Sequence, residues 1–334
     1  MKIKLLTRSS DLNKILLAKL NQMRLTGETI DYKKSVLPQI ADAEVIVNGF
    51  GNIDKSFIDA CPNLELIQQT GIGIDNVDIH YCTSKSILVA NVPLANAVSV
   101  AEHTLFLLLY LAKNVKEKRL ATKNDNDNNR SSLIFERREL DILGSEIQRK
   151  VLVVIGLGAT GLEVAKRAKS FGMHVIAVTK NPFLKKPGID KAYFVDNLGG
   201  CEILSESISR ADYVSLHTPL TEETKNMIGA KELALMKKSA SLINVARAPI
   251  VDREALYTVL SNSKISGAAF DVFWEEPPNP DDKLLKLNNF MLTPHIAGWT
   301  ADSVDAIARI IATNIERFAQ GEIPLTIVNP ELTY

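Results

Sequence analysis

Three ionisable side chains stand directly after apolar, strand-like runs. Arg247 lies in Asn244-Val245-Ala246-Arg247-Ala248-Pro249-Ile250-Val251-Asp252, Glu276 in Asp271-Val272-Phe273-Trp274-Glu275-Glu276-Pro277, and His295 in Thr293-Pro294-His295-Ile296-Ala297-Gly298. Open α/β sheets bind ligands at the carboxyl ends of their strands, so these flanks would bring all three groups to one rim. Histidine exchanges a proton near neutral pH, and a guanidinium fork holds a carboxylate and polarises a neighbouring carbonyl. A glutamate beside the imidazole fixes its tautomer and stabilises the imidazolium. Together they form a kit for proton transfer to an anionic substrate. Taken singly, each has a plainer reading: His295 a satisfied structural histidine, Arg247 and Glu276 a salt bridge.

A second chemical signal precedes them. Val151–Ile155 runs into Gly156-Leu157-Gly158-Ala159-Thr160-Gly161, which opens a helical segment. Gly156 permits the tight turn, Gly158 lets the backbone approach a pyrophosphate, and Gly161 lets helix and strand pack, with free N–H groups at Ala159 and Thr160 facing the phosphates. About 20 residues on, an NAD site normally carries an acid for the ribose 2′-hydroxyl. Here Thr179-Lys180-Asn181 follows the next strand. A hydroxyl, an ammonium and an amide do not repel a 2′-phosphate, so NADP(H) is favoured and NAD(H) possible. The plainer reading of Lys180 is a solvated surface lysine.

The elements that must position these groups alternate along the chain. Ile3–Leu6, Ala43–Val47, Leu64–Gln68 and Ile87–Asn91 read as strands, with a helix over Leu12–Met23 and a strongly apolar one from Val98. A second series runs from Val151 through His174–Val178, Tyr213–Leu216, Ser241–Asn244, Ser266–Phe270 and Phe290–Leu292, and the chain closes with an amphipathic helix near Ala301–Gln320. Strands alternating with helices predict an α/β fold with parallel sheets. The polar stretch 122–132 reads as a solvated loop.

Composition removes competing classes. With 334 residues the chain is long enough for two domains, and its 39 basic and 39 acidic residues cancel. Without a basic block, no nucleic acid is expected as partner. Glu102 and His103 interrupt the one long apolar segment, so no membrane span is expected. Three cysteines, Cys61, Cys82 and Cys201, with no C-x-x-C pair, predict a reducing cytoplasmic setting and no metal site.

The glycine turn, N-V-A-R-A-P-I-V-D, D-V-F-W-E-E-P and T-P-H-I-A-G, in this order, resemble the D-isomer-specific 2-hydroxyacid dehydrogenase family. CPNLELIQQTGIGIDNVD near residue 61 and VPLANAVSVAEHT near residue 92 extend the resemblance over nearly the whole chain. It implies two Rossmann-like domains around a central cleft: a discontinuous substrate domain, 1–99 plus 296–334, and a dinucleotide-binding domain, 100–295. It implies hydride transfer between NAD(P)H and a small 2-keto or 2-hydroxy acid, with His295 as acid/base, Arg247 on the substrate carboxylate and carbonyl, and Glu276 orienting His295. Asp271 would accept from the nicotinamide carboxamide. His217-Thr218-Pro219, Val245, Ala246, Arg247, His295 and Gly298 would line the cofactor, with a structural role for His217 equally open. Ile72 and Gly73, in Thr70-Gly71-Ile72-Gly73-Ile74-Asp75, would offer backbone N–H groups to the carboxylate, or form only a tight turn. Phe50 and Trp299 either shape an apolar pocket or pack. The Val98 helix resembles the family's dimerisation element, so a homodimer is implied. The chain ends soon after its last helix, which disfavours an added regulatory domain. Ala248 departs from the glycine usual after the arginine and restricts the backbone there. An NAD(P)-sensing corepressor on the same fold is the alternative, disfavoured because no long tail or docking segment is present.

Overall fold

The computed structural model describes residues 1–49, 51–115, 143–180, 189–196, 198 and 201–333. Phe50, Asn181 and the polar stretch 122–132 lie outside them. The described chain divides into two compact units, Met1–Asn96 with Trp299–Tyr334, and Ala97–Gly298. The first break lies between Asn96 and Ala97, at the start of the helix Ala97–Ala112.

In the first unit, β1 (Ile3–Leu6), β2 (Gly27–Thr29), β3 (Val45–Asn48), β4 (Leu66–Gln69) and β5 (Leu88–Ala90) form a parallel sheet in the order β2-β1-β3-β4-β5. Helices α1 (Ser10–Gln22), α2 (Leu37–Ile40), α3 (Lys55–Asp59) and α4 (Ile79–Ser84) connect them. Ser9 caps α1, and Leu12, Leu16 and Leu20, four residues apart, form its buried stripe. That stripe packs with Val304, Ile307, Ala308, Ile311 and Ile315 of the closing helix, Ala301–Ala319, in one core with β1, β3 and β4. The C-terminal helix therefore completes the N-terminal unit.

The second unit begins with α5 (Ala97–Ala112) and carries seven parallel strands among the described residues. These are β6 (Val151–Ile155), β7 (His174–Thr179), β8 (Lys191–Phe194), β9 (Tyr213–Leu216), β10 (Ser241–Asn244), β11 (Gly267–Phe270) and β12 (Phe290–Leu292), ordered β12-β11-β10-β9-β6-β7-β8. The strand order reverses at β6, which pairs with β9 on one side and β7 on the other. That reversal is where an open parallel sheet leaves a crevice at its carboxyl edge. One core lies between the sheet and α5 with α6 (Ala159–Ser170), the other beneath α7 (Glu202–Arg210), α8 (Ala230–Leu235) and α9 (Arg253–Ser261). The inner strands β9, β10 and β11 are buried at every residue, as a sheet covered on both faces requires. The last helix, Ala301–Ala319, is α10.

Candidate functional site

The glycine turn sits at the β6 reversal. Gly156 has φ +90°, and a Cβ there would lie 2.6 Å from the His217 carbonyl oxygen, so only glycine fits. A Cβ on Gly161 would collide with the Gly156 carbonyl oxygen, whereas one on Gly158 meets nothing within 4 Å. Gly158 is also the extended residue before α6, and no side chain caps that helix. The first-turn N–H groups at Ala159, Thr160 and Gly161 therefore face room for an anion. Nearby, the buried His217 Nδ1 and Thr218 Oγ1 have no hydrogen-bond partner among the described residues. His217 Nε2 pairs with Ser215 Oγ at 2.6 Å, and burial pushes the imidazole down to about 3, so it is neutral at any working pH. Two buried orphan atoms beside an open glycine cradle fit a bound dinucleotide.

At the end of β7, Thr179 is buried and Lys180 is not solvated alone: its Nζ lies 2.6 Å from Glu223 Oε2. Glu223, beyond β9, is a partner that nothing in its local sequence announces.

Arg247, Glu276 and His295 come together in the second unit. Asn244, fully buried at the end of β10, braces the arginine turn from both sides: its Nδ2 donates to the Arg247 carbonyl at 2.9 Å and its Oδ1 accepts from Ala246 N–H at 3.0 Å. Arg247 Nη1 donates to the Ala246 carbonyl at 2.9 Å, and Val245 and Ala246 are half-buried beside it. Ala248 takes its place in a short 3₁₀ turn, Ala248–Ile250, without positive φ. Glu276 Oε1 accepts from Phe273 N–H at 2.9 Å, and Oε2 pairs with His295 Nδ1 at 2.7 Å. Burial pushes the Glu276 carboxyl up, but His295, the Phe273 N–H and the Arg247 charge outweigh it and hold it below the usual carboxylate range. His295 itself has φ +55°, a left-handed conformation uncommon outside glycine but one in which histidine, asparagine and aspartate are enriched.

The chain around His295 is held by Asp271. Asp271 is 1% exposed. Its Oδ1 accepts from Thr293 Oγ1 at 2.5 Å and Ile296 N–H at 3.0 Å, and its Oδ2 accepts from Ala297 N–H at 2.8 Å. Both oxygens thus clamp the chain on either side of His295. His103, from α5, adds its Nε2 to Thr293 Oγ1 at 3.0 Å, and burial pushes its pKa down against the pull of Asp271. Asp271→Asn would set an amide N–H₂ against one of these donors. It is expected to lower Tm by roughly 5 °C and kcat by about tenfold to a hundredfold through misplacement of His295. An unchanged Tm with only cofactor KM raised would deny the clamp and leave the carboxylate to the nicotinamide alone.

The first unit holds the other expected residues. Ile72 is 58% exposed, its carbonyl accepts from Asn91 Nδ2 at 3.0 Å, and the Gly71 carbonyl accepts from Val92 N–H at 3.0 Å. Gly73 is half-buried in the same loop, and Trp299 is partly buried against the α1–α10 core. A buried polar network unforeseen from the sequence ties this loop down: Asn48 Nδ2 donates to Gln69 Oε1 at 3.0 Å, Gln69 Nε2 to Asn76 Oδ1 at 2.6 Å, and Asn76 Nδ2 to the Gly51 carbonyl at 2.7 Å. The signal for it was present, since Asn48 and Gln69 are amides ending apolar strands. Among the described residues no cluster of His, Cys, Asp and Glu could hold a metal ion, and no helix is long and apolar enough to cross a membrane.

A family model described as the NAD binding domain of D-isomer specific 2-hydroxyacid dehydrogenase matches residues 105–297. The chain is 37% identical over 300 residues to the D-3-phosphoglycerate dehydrogenase of Methanocaldococcus jannaschii, covering 89% of this chain and 54% of that protein. It thus spans about half the length of that relative. It is 34% identical over 304 residues to the glyoxylate reductase of Korarchaeum cryptofilum, covering 90% of this chain and 87% of the other. Among solved structures, D-lactate dehydrogenase from Aquifex aeolicus, complexed with NAD and lactic acid, superposes with a TM-score of 0.79 at 28% identity, over 98% of this chain and 99% of the other.

Proposed function

The chain belongs to the D-isomer specific 2-hydroxyacid dehydrogenase family, and we propose that it moves a hydride between a nicotinamide dinucleotide, NADP(H) or NAD(H), and a small 2-keto or D-2-hydroxy acid. The observation that carries this reading is the 2.7 Å pairing of His295 Nδ1 with Glu276 Oε2 beside Arg247. In the reductive direction a bound dinucleotide would supply the hydride, and the substrate's carbonyl oxygen must gain a proton. His295 donates it from Nε2, because Glu276 engages Nδ1 and fixes the tautomer. Glu276 keeps its charge at neutral pH, since its pKa is held below the ordinary range, and so stabilises the imidazolium before transfer. Arg247 binds the substrate carboxylate and polarises the adjacent carbonyl through its planar fork. Asp271 holds the backbone just after His295, at Ile296 and Ala297, and Asn244 that of Arg247, so neither catalytic group need reorganise during the reaction.

In this reading the Gly156–Gly161 turn, with His217 and Thr218, would hold the pyrophosphate and its flanking ribose. The Thr70–Asp75 loop takes a carboxylate-binding role through the Ile72 and Gly73 N–H groups. Assembly as a homodimer through α5, where Val98 and Phe106 are about half exposed, and a cytoplasmic setting belong to the same proposal. A panel of glyoxylate, hydroxypyruvate and branched aliphatic 2-keto acids, each with NADPH and NADH, tests it. At least one acid is expected to turn over with a kcat/KM of about 10⁴ M⁻¹s⁻¹ or more. No oxidation of either nucleotide by any of them would overturn the assignment.

A further inference from the structure

We infer that Glu223 is the residue that sets the choice between NAD(H) and NADP(H), by holding a carboxylate beside Lys180 at the β7 end. This rests on the dinucleotide reading above. In folds of this class the ribose 2′ position lies at the end of the strand after the glycine turn. There a carboxylate accepts from a hydroxyl and repels a phosphate. Thr179-Lys180-Asn181 supplies no acid, and read alone it welcomes a 2′-phosphate.

The fold brings the missing acid from 43 residues away. Glu223 Oε2 lies 2.6 Å from Lys180 Nζ, and Glu223 Oε1 accepts from Leu198 N–H at 2.6 Å. The two partners are unequally held: the Lys180 side chain is 51% exposed, that of Glu223 only 23%. The carboxylate is the anchored member, tied to a backbone N–H as well as to the ammonium, and both contacts keep it ionised. The ammonium is the movable member. A 2′-phosphate approaching Lys180 therefore has to displace a carboxylate that remains in place, whereas a 2′-hydroxyl can donate to that same carboxylate. Neutralisation of Lys180 and retention of a fixed negative charge both act against NADP(H). The order of preference read from Thr179-Lys180-Asn181 in isolation is thereby reversed.

The test is nucleotide binding without substrate, by nicotinamide fluorescence or calorimetry, with the full chain. The unaltered protein is expected to bind NADH at least about tenfold more tightly than NADPH. Glu223→Gln keeps an oxygen for the Leu198 N–H and removes the charge, so it should tighten NADPH by about tenfold while moving NADH less than about threefold. Lys180→Met, which leaves Glu223 without its cation, should weaken NADPH further. Equal affinities in the unaltered protein, or an NADPH to NADH ratio unmoved by Glu223→Gln at unchanged Tm, would overturn the inference and leave the dinucleotide reading intact. Binding of neither nucleotide would overturn both.

Discussion

His295→Asn is expected to lower kcat/KM by about a thousandfold while the protein stays folded, because general acid–base catalysis by a placed side chain contributes roughly 10²–10⁴. The substitution isolates the chemistry for a structural reason. Residue 295 sits at φ +55°, and asparagine is among the few residues that tolerate that conformation. The backbone clamp that Asp271 places on Ile296 and Ala297 does not involve the imidazole, so the loop keeps its shape. Asparagine also retains a donor for Glu276 Oε2 but has no proton to exchange near neutral pH. Parallel measurement of kcat/KM and thermal unfolding checks this. Near-normal turnover at an unchanged Tm would remove His295 from the proton-transfer role.

Arg247→Ala should cost about a hundredfold to a thousandfold in kcat/KM, the scale seen when a preorganised donor is removed from developing charge. Arg247→Lys should recover only part of the loss, because a point charge cannot make two parallel hydrogen bonds to one carboxylate. The turn survives either change. Asn244, not the guanidinium, ties the Arg247 carbonyl and the Ala246 N–H, and residue 247 has extended dihedrals, φ −144° and ψ 135°, that alanine adopts freely. Steady-state kinetics with the best acid of the panel, together with circular dichroism, decides the point. A variant with ordinary KM and kcat would assign the arginine to the Glu276 ion pair alone.

These two residues were readable from the chain because each follows an apolar strand directly, so its position at a sheet edge is a local property. The same holds for Gly156 and Gly161, whose lack of a Cβ answers to atoms in the same turn or an adjacent strand. Asp271 shows where such reading stops. Its place after β11 is local, but its partners Thr293, Ile296 and Ala297 arrive with the next strand, and only the β11–β12 pairing brings them to its carboxylate as a backbone clamp. The short edge strands β2 and β8 escaped notice for a different reason. Gly27–Thr29 and Lys191–Phe194 are partly solvent-exposed and carry no two-residue hydrophobic alternation, so they hold their place through ladder hydrogen bonds to β1 and β7.

By itself the sequence determined the fold class, the glycine turn and the identities of the reactive groups. Those depend on hydrophobic periodicity and on backbone freedom within a few residues. Tertiary structure alone decided two further meetings: Lys180 with Glu223, and Asp271 with the loop around His295. In parallel sheets every strand neighbour is reached through a crossover of about a dozen or more residues. Partners at the sheet edge are therefore remote in the chain, and the electrostatics that choose a cofactor or hold a catalytic histidine appear only when the strands are in register.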